Sequence, residues 1–272
     1  GEPESKALLE CVLQNQFNIH VTFHSGIEYF LYPWYYRPGL SPDDAANSFL
    51  GQLYTTVSGY PNLPSGHAYN SLYPTNGTSG EAYYGVMGSY GFTMEISYNK
   101  QPPASQIMYY YNANLPSMIE MIRYAGYGIN GTVTDSLTGE PVAAVVFIDD
   151  LMPFYTDPEV GDYHKFLIAG TYDVKVVANG YKTKVVEDVT VTDLAAATVN
   201  FELAIDSSRF AYRFCSSQIP DNNYADEGNT PAALGAPDNI NYSIGKYRWC
   251  VLDMQETVFD GPGNDILVHE GD

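Results

Sequence analysis

Two residues pose the chemical question, His24 and Glu95. Phe17, Ile19, Val21 and Phe23 alternate with Asn18, His20, Thr22 and His24. That period of two predicts a strand with one face in a core. It runs out at His24-Ser25-Gly26, where the residues turn small or polar. An imidazole at a strand end, beside a glycine that lets other groups approach, is placed to bind a metal. The competing reading is a hydrogen-bonded structural histidine. Gly91 to Ser97 predicts a second strand. Phe92, Met94 and Ile96 share one face, and Thr93, Glu95 and Ser97 the other. Glu95 is then an acid embedded in an apolar strand. Such a carboxylate is either salt-bridged or functional, and a raised pKa would suit it to general-base work.

Other elements must hold these two in place. Pro3 suits the first turn of a helix, and Glu2 and Glu4 suit its positive end. Ala7, Leu8, Cys11 and Val12 form its apolar stripe, with Cys11 expected as a buried thiol. Ser41 reads as the cap of a second helix, with Pro42 at its first position and Ala46, Phe49, Leu50 and Leu53 inward. Asn62 to Thr78 is loop. Pro116 to Tyr124 reads as a last helix, with Met118, Ile119 and Ile122 inward and Gly126 and Gly128 ending it. Helices alternating with strands imply an α/β layer fold.

The composition changes after Gly128. Ile129 to Asp135, Val142 to Ile148, Tyr172 to Ala178, Lys182 to Val186 and Ala197 to Leu203 read as short strands with turns between them, a β-sandwich. Residues 205–272 form a third unit, with strand-like runs around Asp260-Gly261-Pro262-Gly263-Asn264-Asp265. That cluster offers oxygen ligands for Ca²⁺, or is an ordinary turn.

The set Glu2-Pro3-Glu4, His24-Ser25, Leu31-Tyr32-Pro33-Trp34, Leu72-Tyr73-Pro74 and Thr93-Met94-Glu95 resembles the zinc metallocarboxypeptidases of the A/B and D/E type. The order matches the family: a strand ending in the third zinc ligand, a Tyr on a mobile loop, and a catalytic Glu on a late strand. Tyr73 precedes Glu95 by 22 positions, as the family's substrate Tyr precedes its Glu. Residues 127–204 resemble the transthyretin-like or regulatory-like domain that follows the catalytic domain in relatives of the D/E type; Gly128 to Asp135 and Ala178-Asn179-Gly180-Tyr181 are the matching stretches. The expected fold is therefore a partial carboxypeptidase-like α/β region with a mixed sheet over 1–126. An all-β sandwich over 127–204 and a partial, jelly-roll-like β domain over 205–272 follow.

The resemblance implies one zinc ion, with His24 as a ligand, Glu95 as the base that deprotonates a bound water, and Tyr73 closing over the substrate's last residue. It places Gly80 at the position that selects the substrate side chain; a glycine supplies neither an acid nor an apolar wall there. Two further ligands come, in this family, from an upstream His-x-x-Glu. None of the five His, at 20, 24, 67, 164 and 269, begins one. His20 lies four residues before His24, about 13 Å away at the strand rise, so both cannot bind one zinc. His67 is expected to be exposed.

Three functions are consistent with this. One is a piece of a secreted zinc carboxypeptidase acting on peptide C-termini. Another is an inactive relative serving as a binding or adhesion module, and the third a related zinc amide hydrolase. The formal net charge of −20 argues against nucleic acid. Twenty-five Tyr and 24 Gly with only 12 Lys plus Arg suggest extracellular or cell-surface, β-rich material. No apolar run is long enough to span a membrane. The sequence starts at a Gly, enters directly at a helix and stops after an apolar run, so it reads as an internal piece of a longer protein. Cys215 and Cys250 flank the last segment and are candidates for a disulfide in an oxidising compartment.

Overall fold

The computed structural model describes residues 2–205, 213–218 and 249–253. Helix α1 spans Pro3–Asn15 with Pro at its start. Strand β1, Ile19–His24, and strand β2, Glu28–Tyr32, follow. Helix α2 is Asp44–Val57, strand β3 is Ser65–His67, and the short helix α3 is Ala68–Ser71. Helix α4, Ser79–Met87, leads into strand β4, Tyr90–Ile96, and helix α5 is Ile107–Tyr124. The four strands form one mixed sheet in the order β1-β4-β2-β3. β1 and β4 are parallel, while β2 runs antiparallel to β4.

Helices α2 and α5 cover the sheet over a core of Phe30, Leu50, Tyr54, Tyr90, Phe92, Met94 and Met121. The inward face of α5 is not the one its apolar residues suggest. Ala113, Asn114, Ser117 and Met121 point in, while Ile119 and Ile122 are 50% and 72% exposed. Hydrogen bonds set this rotation. Asn114 accepts from the Tyr54 hydroxyl at 2.7 Å and donates to the Tyr60 hydroxyl at 2.9 Å, and Ser117 donates to the Tyr54 carbonyl at 2.7 Å. Buried polar groups that find partners outweigh the gain from turning two isoleucines inward.

Helix α1 also departs from its pattern. Only Val12 is buried, against Tyr83 and Met87 of α4. Ala7, Leu8 and Cys11 are exposed, because among the described residues α1 packs only through its last turns, so the Cys11 thiol is an exposed one. Ser41 lies before the helix it was expected to cap. Its hydroxyl accepts from the Asn47 side chain at 2.9 Å, and α2 begins at Asp44.

From Gly128 onward the structure is β. Strands β5 (Gly128–Asp135), β6 (Val145–Ile148), β7 (Phe154–Tyr155), β8 (Asp162–Lys165), β9 (Gly170–Val177), β10 (Lys184–Val191), β11 (Ala196–Thr198) and β12 (Phe201–Leu203) form two sheets. One has the order β10-β9-β6-β7; the other is β11-β5-β12 with β8 paired to β5. Ile129, Val133, Val146, Ile148, Val174, Val176, Phe201 and Leu203 fill the space between them. Strands β13 (Arg213–Gln218) and β14 (Trp249–Asp253) pair antiparallel. The side chains of Cys215 and Cys250, and the Asp260–Asp265 cluster, lie outside the described residues.

The α/β and β parts are joined by a buried ion pair. Lys165 Nζ lies 3.1 Å from Asp43 Oδ1, with both side chains essentially inaccessible. Tyr84 and Tyr90 hydroxyls donate to Asp43 at 2.8 and 3.2 Å, and the Met152 N–H donates at 3.1 Å. Lys165 donates to the carbonyls of Gly88 and Met152 at 2.9 and 3.3 Å. Gly88 has φ +67°, and an added Cβ would lie 2.1 Å from the Pro153 carbonyl, so only glycine fits here.

Candidate active site

Strands β1 and β4 are parallel neighbours in register, and His24 is the partner of Glu95. Adjacent strands lie about 4.8 Å apart, and residues in register share a face. The row beneath shows that face directly: Thr22 and Thr93 are also partners, and their hydroxyls are 3.1 Å apart. Tyr29 of β2 is the partner of Glu95 on the other side. His24 is exposed and Glu95 is 9% exposed.

One Glu95 oxygen, Oε2, is buried without a hydrogen-bond partner. The carboxylate accepts from the Ile27 N–H. A Cβ placed on Gly26 would lie 3.9 Å from Oε2, so the turn after β1 runs close by. Burial pushes the Glu95 carboxyl above its ordinary range, while His24, the Ile27 N–H and Lys100 pull it partly back. The pair thus joins an accessible imidazole to a carboxylate with an unused acceptor oxygen.

The other predicted residues fall as follows. Tyr73 is 63% exposed on the loop between α3 and α4. Gly80 is buried in α4, and an added Cβ would meet the Gly91 backbone at 3.2 Å, so close helix–strand contact explains its glycine. His20 sits 3.4 Å from Ser79 Oγ and edge-on to Tyr83, and burial lowers its pKa. His67 is not exposed as expected. It is half-buried and 2.5 Å from Asp44, because α2 and β3 pack side by side. His164 pairs with Asp162 at 3.2 Å, and His269 lies outside the described residues.

Sequence reasoning missed Glu81, Asp43 and Lys165. Glu81 had a signal, since Thr78-Ser79-Gly80-Glu81 has the spacing of a capping box. Asp43 and Lys165, 122 positions apart, gave none.

A catalytic zinc takes three protein ligands and keeps one position open. Among the described residues no group of three His, Cys, Asp or Glu is close enough to hold a metal. His24, with the unpartnered Glu95 oxygen beside it, fits as one donor of such a set. Two more donors would have to come from elsewhere.

The mixed sheet and the β-sandwich that follows are each similar to a known domain type. Residues 1–117 match the family described as zinc carboxypeptidase, and residues 128–204 match the carboxypeptidase regulatory-like domain. In order along the chain, a stretch similar to zinc carboxypeptidases is thus followed by one similar to the regulatory-like domain. Among its relatives, human carboxypeptidase D is 28% identical over 226 residues, which is 74% of this chain and 16% of that protein. The rat carboxypeptidase N catalytic chain is 25% identical over 74% of this chain and 49% of its own length. Carboxypeptidase E of Caenorhabditis elegans is 26% identical over 81% and 51%. The chain therefore spans between about a sixth and a half of the length of these relatives.

Proposed function

We propose that this chain is a piece of a secreted zinc carboxypeptidase that releases residues from peptide C-termini. Residues 1–126 would belong to its catalytic domain, 127–204 to the β-sandwich and 205–272 to a further β unit. The observation that carries this reading is the Glu95 carboxylate: buried, with one oxygen unpartnered, and in register with His24. A purely structural acid in such a strand would have both oxygens satisfied.

His24 would hold the metal through one imidazole nitrogen. A zinc ion held there would supply Lewis acidity to the reacting water. Glu95 takes a proton on its free oxygen and later returns it to the leaving amine. Burial serves that role, since a raised pKa brings the carboxyl closer to neutrality. Tyr73 on its exposed loop contacts the substrate's terminal residue. The acidic composition and the many Tyr and Gly support an extracellular setting.

The test is E95Q in the full-length protein. Glutamine keeps the size but cannot take a proton. Zinc content and substrate affinity should stay near wild type while kcat falls roughly 10²- to 10⁴-fold. Wild-type turnover per folded molecule would remove Glu95 as the general base and, with it, the carboxypeptidase-type mechanism.

A further inference from the structure

Glu81 occupies the third position of α4, three residues after the capping residue Thr78. Thr78 plays its capping part, with its hydroxyl accepting the Glu81 N–H at 3.4 Å. In an ordinary capping box the acid then turns back to the N–H of the capping residue. Here Oε1 reaches a different segment. It accepts the N–H of Tyr35 at 3.1 Å and of Tyr36 at 3.3 Å. Arg37 holds the same turn, with its guanidinium 4.7 Å from the Trp34 ring and 5.6 Å from the Tyr36 ring. Burial pushes the Glu81 carboxyl up to about 7, against the pull of the two N–H groups and Arg37.

The clamped turn carries Tyr35, which is 3% exposed. Its hydroxyl donates to Thr93 Oγ1 at 3.0 Å and lies 3.2 Å from the Leu31 carbonyl. Thr93 is 3.1 Å from Thr22 Oγ1, which donates to the Phe92 carbonyl at 3.1 Å. The chain of donors therefore runs from Tyr35 through Thr93 and Thr22 into the β4 backbone. Thr22 and Thr93 lie two residues before His24 and Glu95 on the same faces.

We infer that Glu81 is a positioning residue: it clamps the Tyr35–Tyr36 turn so that the Tyr35 hydroxyl braces the threonine pair beneath His24 and Glu95. The inference rests on reading His24 and Glu95 as the reacting pair. Glu81 acts through Tyr35 and need not touch substrate.

Amide hydrogen exchange on this chain tests the clamp without any activity. E81A should speed exchange at the Tyr35 and Tyr36 amides by about tenfold or more, because both lose a charged acceptor. Val174 and Val176 in β9 should exchange as before. E81Q keeps an acceptor oxygen and should restore most of the protection. Unchanged exchange at both amides, or equal acceleration along the whole chain, would overturn the proposal. In the full-length protein, E81A and Y35F should each lower kcat, and the double variant should be little worse than the worse single one, since both act along one path. Unchanged kcat in both singles, or losses that simply add, would overturn the bracing role. An inactive wild type would overturn the function reading itself, while the exchange result still decides whether the clamp exists.

Discussion

Asp43 and Glu95 are both buried carboxylates, and their surroundings are opposite. Asp43 meets Lys165, two tyrosine hydroxyls and a backbone N–H, so both oxygens are fully engaged. Glu95 keeps Oε2 without a hydrogen-bond partner, and an exposed imidazole lies beside it in register. A satisfied buried charge holds structure together. An unsatisfied one leaves an acceptor open to a further group, which on the proposed function is a water or the substrate. On the proposed function, the difference separates a structural acid, Asp43, from a chemical one, Glu95.

The largest effect should come from the satisfied side. K165M leaves the Asp43 charge buried without its cation, which should destabilise the protein by about 3–5 kcal/mol. Thermal or denaturant unfolding checks this. A loss below about 1 kcal/mol would mean that Asp43 is not held as an ion in the pair. N114A should follow. It strands the Tyr54 hydroxyl in the core, while the Tyr60 hydroxyl keeps the Ile96 carbonyl, and should cost about 1–3 kcal/mol.

E95Q, expected on the proposed function to lower turnover, should change stability by less than about 1 kcal/mol, since it removes a buried charge with an unused oxygen. A loss like that of K165M would erase the contrast and make Glu95 a structural acid.

The subtlest effect is in pH dependence. The folded pKa of Glu95 lies above its unfolded value, so the native state holds the proton longer. Its contribution to stability therefore declines as pH rises from the unfolded pKa through the folded one. E95Q should gain on wild type as pH rises through that window. Asp135 has the opposite sign. The Thr138 and Leu137 N–H groups and the Tyr181 hydroxyl lower its pKa, so its contribution is lost as pH falls. D135N should flatten the acid limb of the melting curve. Melting temperatures across pH 3 to 8 separate the two, and parallel curves for E95Q and wild type would contradict the assigned shift.

Much of the α/β part was legible because its strands alternate in the open. β1 and β4 carry a period of two in their sequences, and the chemistry-bearing residues stand out against it, although β4 is buried on both faces and Phe23 of β1 is exposed. Elements held by polar contacts were not. The rotation of α5 depends on Asn114 and Ser117, which read as surface residues until Tyr54 and Tyr60 are known to face them. Strand β8 hides its pattern for the same reason. In Asp162-Tyr163-His164-Lys165 the inward residues are Tyr163 and Lys165, and a lysine at an inward place does not look like core. At the site, His24 and Glu95 could be named from sequence. Their register could not, because it depends on pairing between strands some 70 residues apart.

Phe166 follows Lys165 directly, and its ring lies in the α/β core against Phe49, Tyr90 and Tyr124. The first layer therefore borrows part of its interior from a residue far along the chain. During synthesis, at roughly 5–20 residues per second, that layer must wait several seconds after Tyr124 has been added before Phe166 is made. Until then its apolar floor stays open to the crowded surroundings of the ribosome, and a chain cut short before residue 166 leaves it open for good.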